Sequence, residues 1–104
     1  MTEFIERDGK LFLKLGDLPE SEVLAAWESF SGWYWFGTEI SHYQDSLIGE
    51  DVYENDPIWF GFVQGIEEEW GYFSQGEIEA LGMRAWQIPK ENLPWSGRRH
   101  NRRE

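Results

Sequence analysis

The segment between Lys14 and Arg84 contains neither lysine nor arginine. It carries fifteen carboxylates, and His42 is the one side chain within it that can take up a positive charge. The carboxylates belong to Asp17, Glu20, Glu22, Glu28, Glu39, Asp45, Glu50, Asp51, Glu54, Asp56, Glu67, Glu68, Glu69, Glu77 and Glu79. Because these charges repel one another and have almost no local cation to pair with, the fold needs another source of cohesion.

Aromatic side chains supply that cohesion. The 104 residues include 7 Trp, 7 Phe and 4 Tyr, and five of the tryptophans lie in the base-free segment. Each such side chain can bury about 150–250 Å2, so a chain of this length can form a compact core without disulfides. We therefore predict a single acidic, aromatic-rich domain over residues 1–97, which carries most of the carboxylates behind the net charge of −11.

The remaining composition limits the class of protein. There is no cysteine, which excludes disulfides and thiolate metal sites and fits a reducing compartment. The N-terminus has no basic, apolar signal pattern, and no apolar run approaches the roughly 18 residues of a membrane span. We predict a cytoplasmic protein without membrane contact. The basic end, with four arginines in residues 98–104, predicts a flexible tail drawn to the acidic body, or else a nucleic-acid contact.

Turn and cap residues predict the secondary structure of the first half. Asp8-Gly9 between apolar runs predicts a β-hairpin over residues 4–13. Pro19 and an apolar stripe at helical spacing predict a helix over residues 19–30. Residues 33–40 are aromatic and β-branched, which predicts a strand covered on both faces. Residues 41–57 are polar and acidic, and we expect a long loop there.

The second half predicts a hairpin followed by a helix. Residues 58–63 and 69–73 are strand-like and flank a turn that begins at Gln64-Gly65. Ser74 and Glu77 have the spacing of a capping box, which predicts a helix over residues 75–81. A short edge strand is expected at residues 85–88. The predicted fold class is α+β, with an antiparallel sheet of about four to five strands and two helices.

Two runs of residues match a pattern beyond these local signals. Residues 59–78, WFGFVQGIEEEWGYFSQGEI, place Phe-Gly on a strand, an acidic residue before Gly-Tyr-Phe-Ser, and a short helix after it. Residues 35–39, WFGTE, form an aromatic strand that ends in Thr-Glu. Both runs resemble an uncharacterised bacterial domain family carried on plasmids, phages and other mobile elements, although Gln75-Gly76 departs from its pattern. The resemblance implies a fold and a mobile-element setting, and it transfers no catalytic residue.

The sequence offers no constellation typical of an enzyme. The glycines at 61, 65 and 71 lack the spacing and the lysine of a phosphate loop, and we expect Gly61 and Gly71 to permit close aromatic packing across a hairpin. The two histidines form no zinc motif, and the acidic loop lacks the order of an EF-hand. Carboxylates near tryptophan would suit a glycosidase, but with twenty acids such pairs are unspecific. We predict a non-enzyme without metal or cofactor.

Two binding hypotheses remain. The first is a non-catalytic accessory protein of a mobile element that binds a protein with a basic surface. In its narrower form it is an inhibitor whose acidic surface imitates nucleic acid and occupies a host protein's nucleic-acid-binding surface. The acidic body itself is then expected to bind no nucleic acid. Its predicted contact residues are Glu50, Asp51, Glu54, Asp56, Glu67, Glu68 and Glu69. The second is a small module that binds a sugar or nucleotide on exposed tryptophans, namely Trp33, Trp35 and Trp59. Each feature also has a purely structural interpretation. Glu67, Glu68 and Glu69 can keep an exposed sheet edge from pairing with other chains, and the tryptophans can pack in the core. The overall acidity can be an adaptation to high salt without a specific partner.

Overall fold

Antiparallel strands make up most of the chain, which a computed structural model describes over residues 1–93. Eight strands form two sheets, and one short helix and two 3-10 turns follow β7. The strands are β1 (Thr2–Arg7), β2 (Lys10–Leu15), β3 (Ser21–Glu22), β4 (Ala25–Ser29), β5 (Tyr34–Ile48), β6 (Asp51–Gln64), β7 (Glu68–Ser74) and β8 (Ala85–Gln87). The helix α1 spans Gln75–Glu79, and the 3-10 turns span Gly82–Arg84 and Lys90–Asn92.

The predicted N-terminal hairpin is confirmed and starts the smaller sheet, whose strand order is β1-β2-β3. Asp8 and Gly9 both adopt positive φ angles, of 57° and 74°, as a two-residue turn between twisted strands requires. The larger sheet has the order β7-β6-β5-β4-β8. Its number of strands agrees with the predicted four to five, but β4 falls within the predicted helix and the N-terminal hairpin lies in a second sheet that was not expected. The fold is therefore richer in β-structure than an α+β domain with two helices.

The helix predicted over residues 19–30 is wrong. Ser21–Glu22 pairs with β2, and Ala25–Ser29 is an inner strand between β5 and β8. The chain changes sheets between them, because Val23 N–H donates to Leu11 in the smaller sheet and Leu24 N–H donates to Gly37 in the larger one. Because this inner strand is covered on both faces, consecutive residues of it are buried. Its apolar residues therefore do not alternate as in a strand with one buried face, and their spacing resembled the apolar stripe of a helix.

Three layers result, and the described residues form one compact domain. The smaller sheet covers one face of the larger sheet through a core that contains Leu11, Leu13, Phe36 and Phe62. On the opposite face, α1 covers Trp27 and Trp59, whose rings meet edge to face at 5.6 Å. The indole N–H of Trp59 donates to Gln75 at 3.0 Å, so this buried polar group is satisfied.

Glycines let the strands and rings of the larger sheet approach closely, but at other positions than expected. A Cβ on Gly61 would overlap the carbonyl oxygen of Phe36 on the neighbouring strand, whereas one on Gly71 would meet nothing within 4 Å. The aromatic rings that lie on glycine are Trp59, on Gly37, and Trp33, on Gly65. Glycine is therefore needed at Gly37, Gly61 and Gly65, and space does not require it at Gly71.

The N-cap half of the predicted capping box is confirmed, and it starts α1 where predicted. Ser74 is the N-cap, and its hydroxyl accepts a hydrogen bond from the backbone N–H of Glu77 at 3.0 Å. The helix has five residues, ending before the predicted residue 81. No helix within residues 1–93 has both the length and the apolar character needed to cross a bilayer.

Candidate functional site

The segment predicted as an acidic loop is a two-stranded ribbon, which we define as residues 40–57. Its strands are the C-terminal part of β5 and the N-terminal part of β6, and they pair from Ile40 opposite Trp59 to Ile48 opposite Asp51. The turn at its tip is Gly49-Glu50, where Gly49 has a φ of 63°. A two-residue turn that begins with such a glycine fits the right-handed twist of a hairpin. The prediction of a loop over residues 41–57 is therefore wrong.

Irregularities in pairing shape the ribbon. Register shifts occur between Gly37 and Glu39, between Ile40 and His42, and between Gln44 and Ser46. At the last of these, Asn55 has a positive φ of 55°, and its N–H donates to the Asp45 carboxylate at 3.0 Å. Bulges of this kind bend and twist a strand pair and interrupt its edges, which protects the ribbon from pairing with other chains.

One face of the ribbon is anchored to the body through Asp56. This residue is only 2% exposed, and its carboxylate accepts hydrogen bonds from three donors. Ser46 donates from the opposite ribbon strand at 2.7 Å, the Ser74 hydroxyl donates from the end of β7, and the backbone N–H of Gly76 donates from α1 at 2.7 Å. Because the carboxylate ties the ribbon to the helix start, the ribbon has a fixed inner face.

The other face of the ribbon carries large apolar side chains that are uncovered within the described part of the chain, with the exposed carboxylate of Asp45 between two of them. Leu47 lies opposite Val52, and the two side chains are 74% and 62% exposed. Tyr43, two pleats away on the same strand, is 60% exposed. Alternate residues of a strand point to opposite faces, so Tyr43 and Leu47 share a face while Ser46 and Ile48 turn inward. We call Tyr43, Leu47 and Val52 the outer face.

The predicted acidic residues divide into three groups. Glu50, Asp51 and Glu54 are exposed on the ribbon, beside the outer face. Asp56 lies in the interior, so its predicted place on a contact surface is corrected by its burial and its three donors. The remaining three, Glu67, Glu68 and Glu69, are exposed at the turn between β6 and β7.

The two exposed acidic groups lie far apart. Glu50, Asp51 and Glu54 flank the start of β6, whereas Glu67, Glu68 and Glu69 follow its end. The strand has fourteen residues. At about 3.3 Å per residue its ends are roughly 40 Å apart. The acids expected to form one surface are therefore two separate clusters at opposite ends of the same strand.

The tryptophans predicted as a ligand platform also separate. Trp59 is 7% exposed and belongs to the core against α1, so it is not part of a platform. Trp33 and Trp35 are half-buried neighbours on the opposite side of Gly37 from the ribbon, with ring centroids 5.8 Å apart and planes 33° apart. They line a cleft with Phe30 and Arg84.

The polar cleft around His42 has a different character. The Ser41 hydroxyl lies 3.0 Å from His42 Nδ1, and the Gln44 amide oxygen lies 3.1 Å from His42 Nε2. In a Ser-His-Asp triad a carboxylate orients the histidine, whereas here an amide takes that place. No group of three histidine or acidic side chains within residues 1–93 is arranged to hold a metal ion.

Comparisons of the chain with protein-family models, with curated proteins and with solved structures find no match. The resemblance in residues 35–39 and 59–78 to a mobile-element family therefore stays a prediction. The predicted basic tail, residues 98–104, lies outside the described residues.

The outer face of the ribbon was not predicted from the sequence. The acidity of residues 41–57 suggested a loop, although Gly49-Glu50 stands between the β-formers Ile48 and Val52. A glycine that opens a two-residue turn between such residues is a hairpin signal. Reading the alternation outward from that turn would have placed Leu47 and Val52 on one face.

Proposed function

We propose that this protein acts by binding another protein, without catalysis, and that the outer face of the ribbon is the contact surface. The observation that carries the proposal is the exposure of Leu47 and Val52, side by side on a ribbon whose other face is fixed. Paired large apolar side chains at 74% and 62% exposure add nothing to the core. An uncovered apolar patch with a polar rim has the composition of a protein interface.

The charges at the rim select a basic partner. Glu50, Asp51 and Glu54 are exposed at the tip and on the β6 strand of the ribbon near Val52, and the base-free segment places no lysine or arginine on the ribbon. A basic surface would gain attraction from these carboxylates during approach and docking. A second copy of this chain would instead bring the same carboxylates against each other, so self-association through the ribbon is disfavoured.

Imitation of nucleic acid by a mobile-element inhibitor is a narrower form of this proposal. It would require a partner whose basic groove accepts the ribbon in place of phosphates. The cluster at Glu67, Glu68 and Glu69 would reach the same groove only if the groove extends roughly 40 Å. Competition by duplex DNA for the bound partner tests this narrower form separately.

The proposal is tested by affinity capture with an apolar ribbon variant. The wild-type protein and the double variant Leu47→Ser/Val52→Ser are used to capture basic proteins from a cell lysate, and the affinity for a captured protein is then measured by titration. We expect the double variant to bind at least about tenfold more weakly, because truncating the few residues that anchor the centre of an interface costs about 2 kcal/mol or more. We also expect wild-type binding to weaken as salt rises.

The matched control replaces two apolar residues that are exposed elsewhere. Ile66 is 91% exposed at the β6–β7 turn, and Met83 is 96% exposed in a 3-10 turn. The variant Ile66→Ser/Met83→Ser should bind as the wild type does. Equal weakening in both double variants, or binding that is indifferent to salt, would contradict the proposal.

A further inference from the structure

The cleft beside Trp33 and Trp35 lies at the opposite end of β5 from the ribbon. The two residues are two positions apart, so their rings share a face of the larger sheet. The ring of Trp33 lies against Gly65, where a Cβ would overlap it. That contact fixes the ring in place, so the tilted pair forms a preformed aromatic wall.

The second wall comes from the segment after α1. Leu81 and Arg84 line the same cleft as the tryptophans, together with Phe30, which is 71% exposed. The two walls are tied together by a hydrogen bond of 2.9 Å from the N–H of Phe30 to the carbonyl of Arg84. The cleft has a volume of about 340 Å3. Sites for small molecules have volumes of about 300–1,000 Å3.

The indole N–H groups of the two cleft tryptophans are accessible to solvent in the described part of the chain. The indole N–H groups of Trp59 and Trp70 donate to Gln75 and Thr2, both at 3.0 Å. Within residues 1–93, neither Trp33 nor Trp35 has such an acceptor. An acceptor-bearing ligand would satisfy these two donors.

Arg84 adds a positive charge that has no ion pair within residues 1–93. It is the only lysine or arginine between Lys14 and Lys90. Its Nε donates to the Leu81 carbonyl at 3.0 Å, but no carboxylate in the described part of the chain pairs with it. The outer nitrogens of its guanidinium can therefore pair with an anion in the cleft that Arg84 lines together with Trp33 and Trp35.

We propose that this cleft binds a small planar aromatic ligand that carries one carboxylate. The ring would stack on the indole wall, and the carboxylate would accept paired hydrogen bonds from Arg84. A single charge fits better than several, because the negative field of the whole protein repels polyanions such as nucleoside triphosphates. The site is separate from the ribbon, and this proposal does not depend on the function proposed for the ribbon.

Indole N–H signals in nuclear magnetic resonance spectra of the 15N-labelled protein test the proposal. The signals of Trp33 and Trp35 are assigned with Trp33→Phe and Trp35→Phe, and 2-naphthoate is titrated beside the uncharged 2-naphthamide. We expect 2-naphthoate to shift both signals saturably and to leave those of Trp59 and Trp70 in place. It should bind about tenfold more tightly than the amide, as a charge-assisted hydrogen bond predicts.

The variant Arg84→Gln should remove that preference, whereas Lys90→Gln, which deletes a positive charge outside the cleft, should retain it. Unchanged Trp59 and Trp70 signals in both variants will show that the fold persists. Equal affinity for acid and amide, or shifts without saturation, would overturn the proposal. Tighter binding of glucose or adenosine monophosphate than of 2-naphthoate would overturn the assigned ligand class.

Discussion

Strands β5 and β6 run through two different surroundings. In the body, Phe36 and Phe62 lie opposite each other under the smaller sheet, and both are 2% exposed or less. In the ribbon, Leu47 and Val52 also lie opposite each other, but they are mostly exposed. The same kind of apolar cross-strand pair thus contributes to the core in one region and forms a surface in the other. We infer that stability depends on the body and binding on the ribbon.

The largest expected effect comes from adding a methyl group in the body. Gly61→Ala should destabilise the protein by about 3 kcal/mol or more, because its Cβ would overlap the backbone oxygen of Phe36, which cannot move without displacing a central strand. Gly71→Ala is the control, since Gly71 pairs with Gly61 in the same row but has open space around it. Urea unfolding measures both. A similar loss of unfolding free energy in the two variants would show that the close contact between Gly61 and Phe36 does not determine the cost of the substitution.

The boundary between the regions is tested at Asp56. Asp56→Asn should cost about 2–3 kcal/mol, because an amide NH2 cannot accept the hydrogen bonds that the buried carboxylate receives. Asp51→Asn removes the same charge from an exposed ribbon position and should change stability by less than about 0.5 kcal/mol. Hydrogen exchange should also become faster in residues 40–57 of Asp56→Asn alone. Unchanged exchange there would contradict the anchoring role.

A smaller effect is expected on the outer face. Leu47→Ser/Val52→Ser should alter the free energy of unfolding by less than about 0.5 kcal/mol for each residue. Leu13→Ala is the comparison within the core, where Leu13 is 1% exposed. It should cost about 2–5 kcal/mol. Thermal or urea unfolding of the three proteins checks the contrast. A loss in the ribbon variant as large as that in Leu13→Ala would mean that the outer face supports the fold.

The smallest effect concerns the exposed ion pair between Arg7 and Glu20. The hydrogen bond from Arg7 lowers the pKa of Glu20 below its ordinary value. The pair therefore stabilises the fold at pH values above that ordinary value, and the contribution is lost as pH falls through the lowered pKa. Melting temperatures across the acid range should fall slightly less in Glu20→Gln than in the wild type. Asp17→Asn is the control. If its melting temperature differed from that of the wild type in the same way, the ion pair between Arg7 and Glu20 would be excluded as the cause.

The sequence predicted the parts of the fold that local chemistry determines. Asp8-Gly9 marked a hairpin because few other residues accept positive φ angles, and Ser74 marked the start of α1 because its hydroxyl accepts from the backbone of Glu77. The strand at Ala25–Ser29 could not be predicted in this way. Its structure depends on β5 and β8, which lie beside it but are distant in sequence.

The candidate surface was predicted only in part, for a related reason. Acidic composition identified Glu50, Asp51 and Glu54 but carried no information about where they lie relative to Glu67. That relation depends on β6 being one continuous strand, whereas its first residues, 51–57, were predicted as part of a loop. Burial of Asp56 likewise follows from donors on β5, β7 and α1 that only the folded chain brings together.

The most direct test of the division between body and ribbon compares two variants of equal charge. Each replaces three carboxylates by amides, one at Glu50, Asp51 and Glu54 and the other at Glu67, Glu68 and Glu69, so both change the net charge from −11 to −8. The dissociation constant for a basic protein captured by the wild type is measured for each. We expect weaker binding in the ribbon variant and nearly unchanged binding in the turn variant. Equal weakening in both would show that total charge, and not the ribbon, attracts the partner.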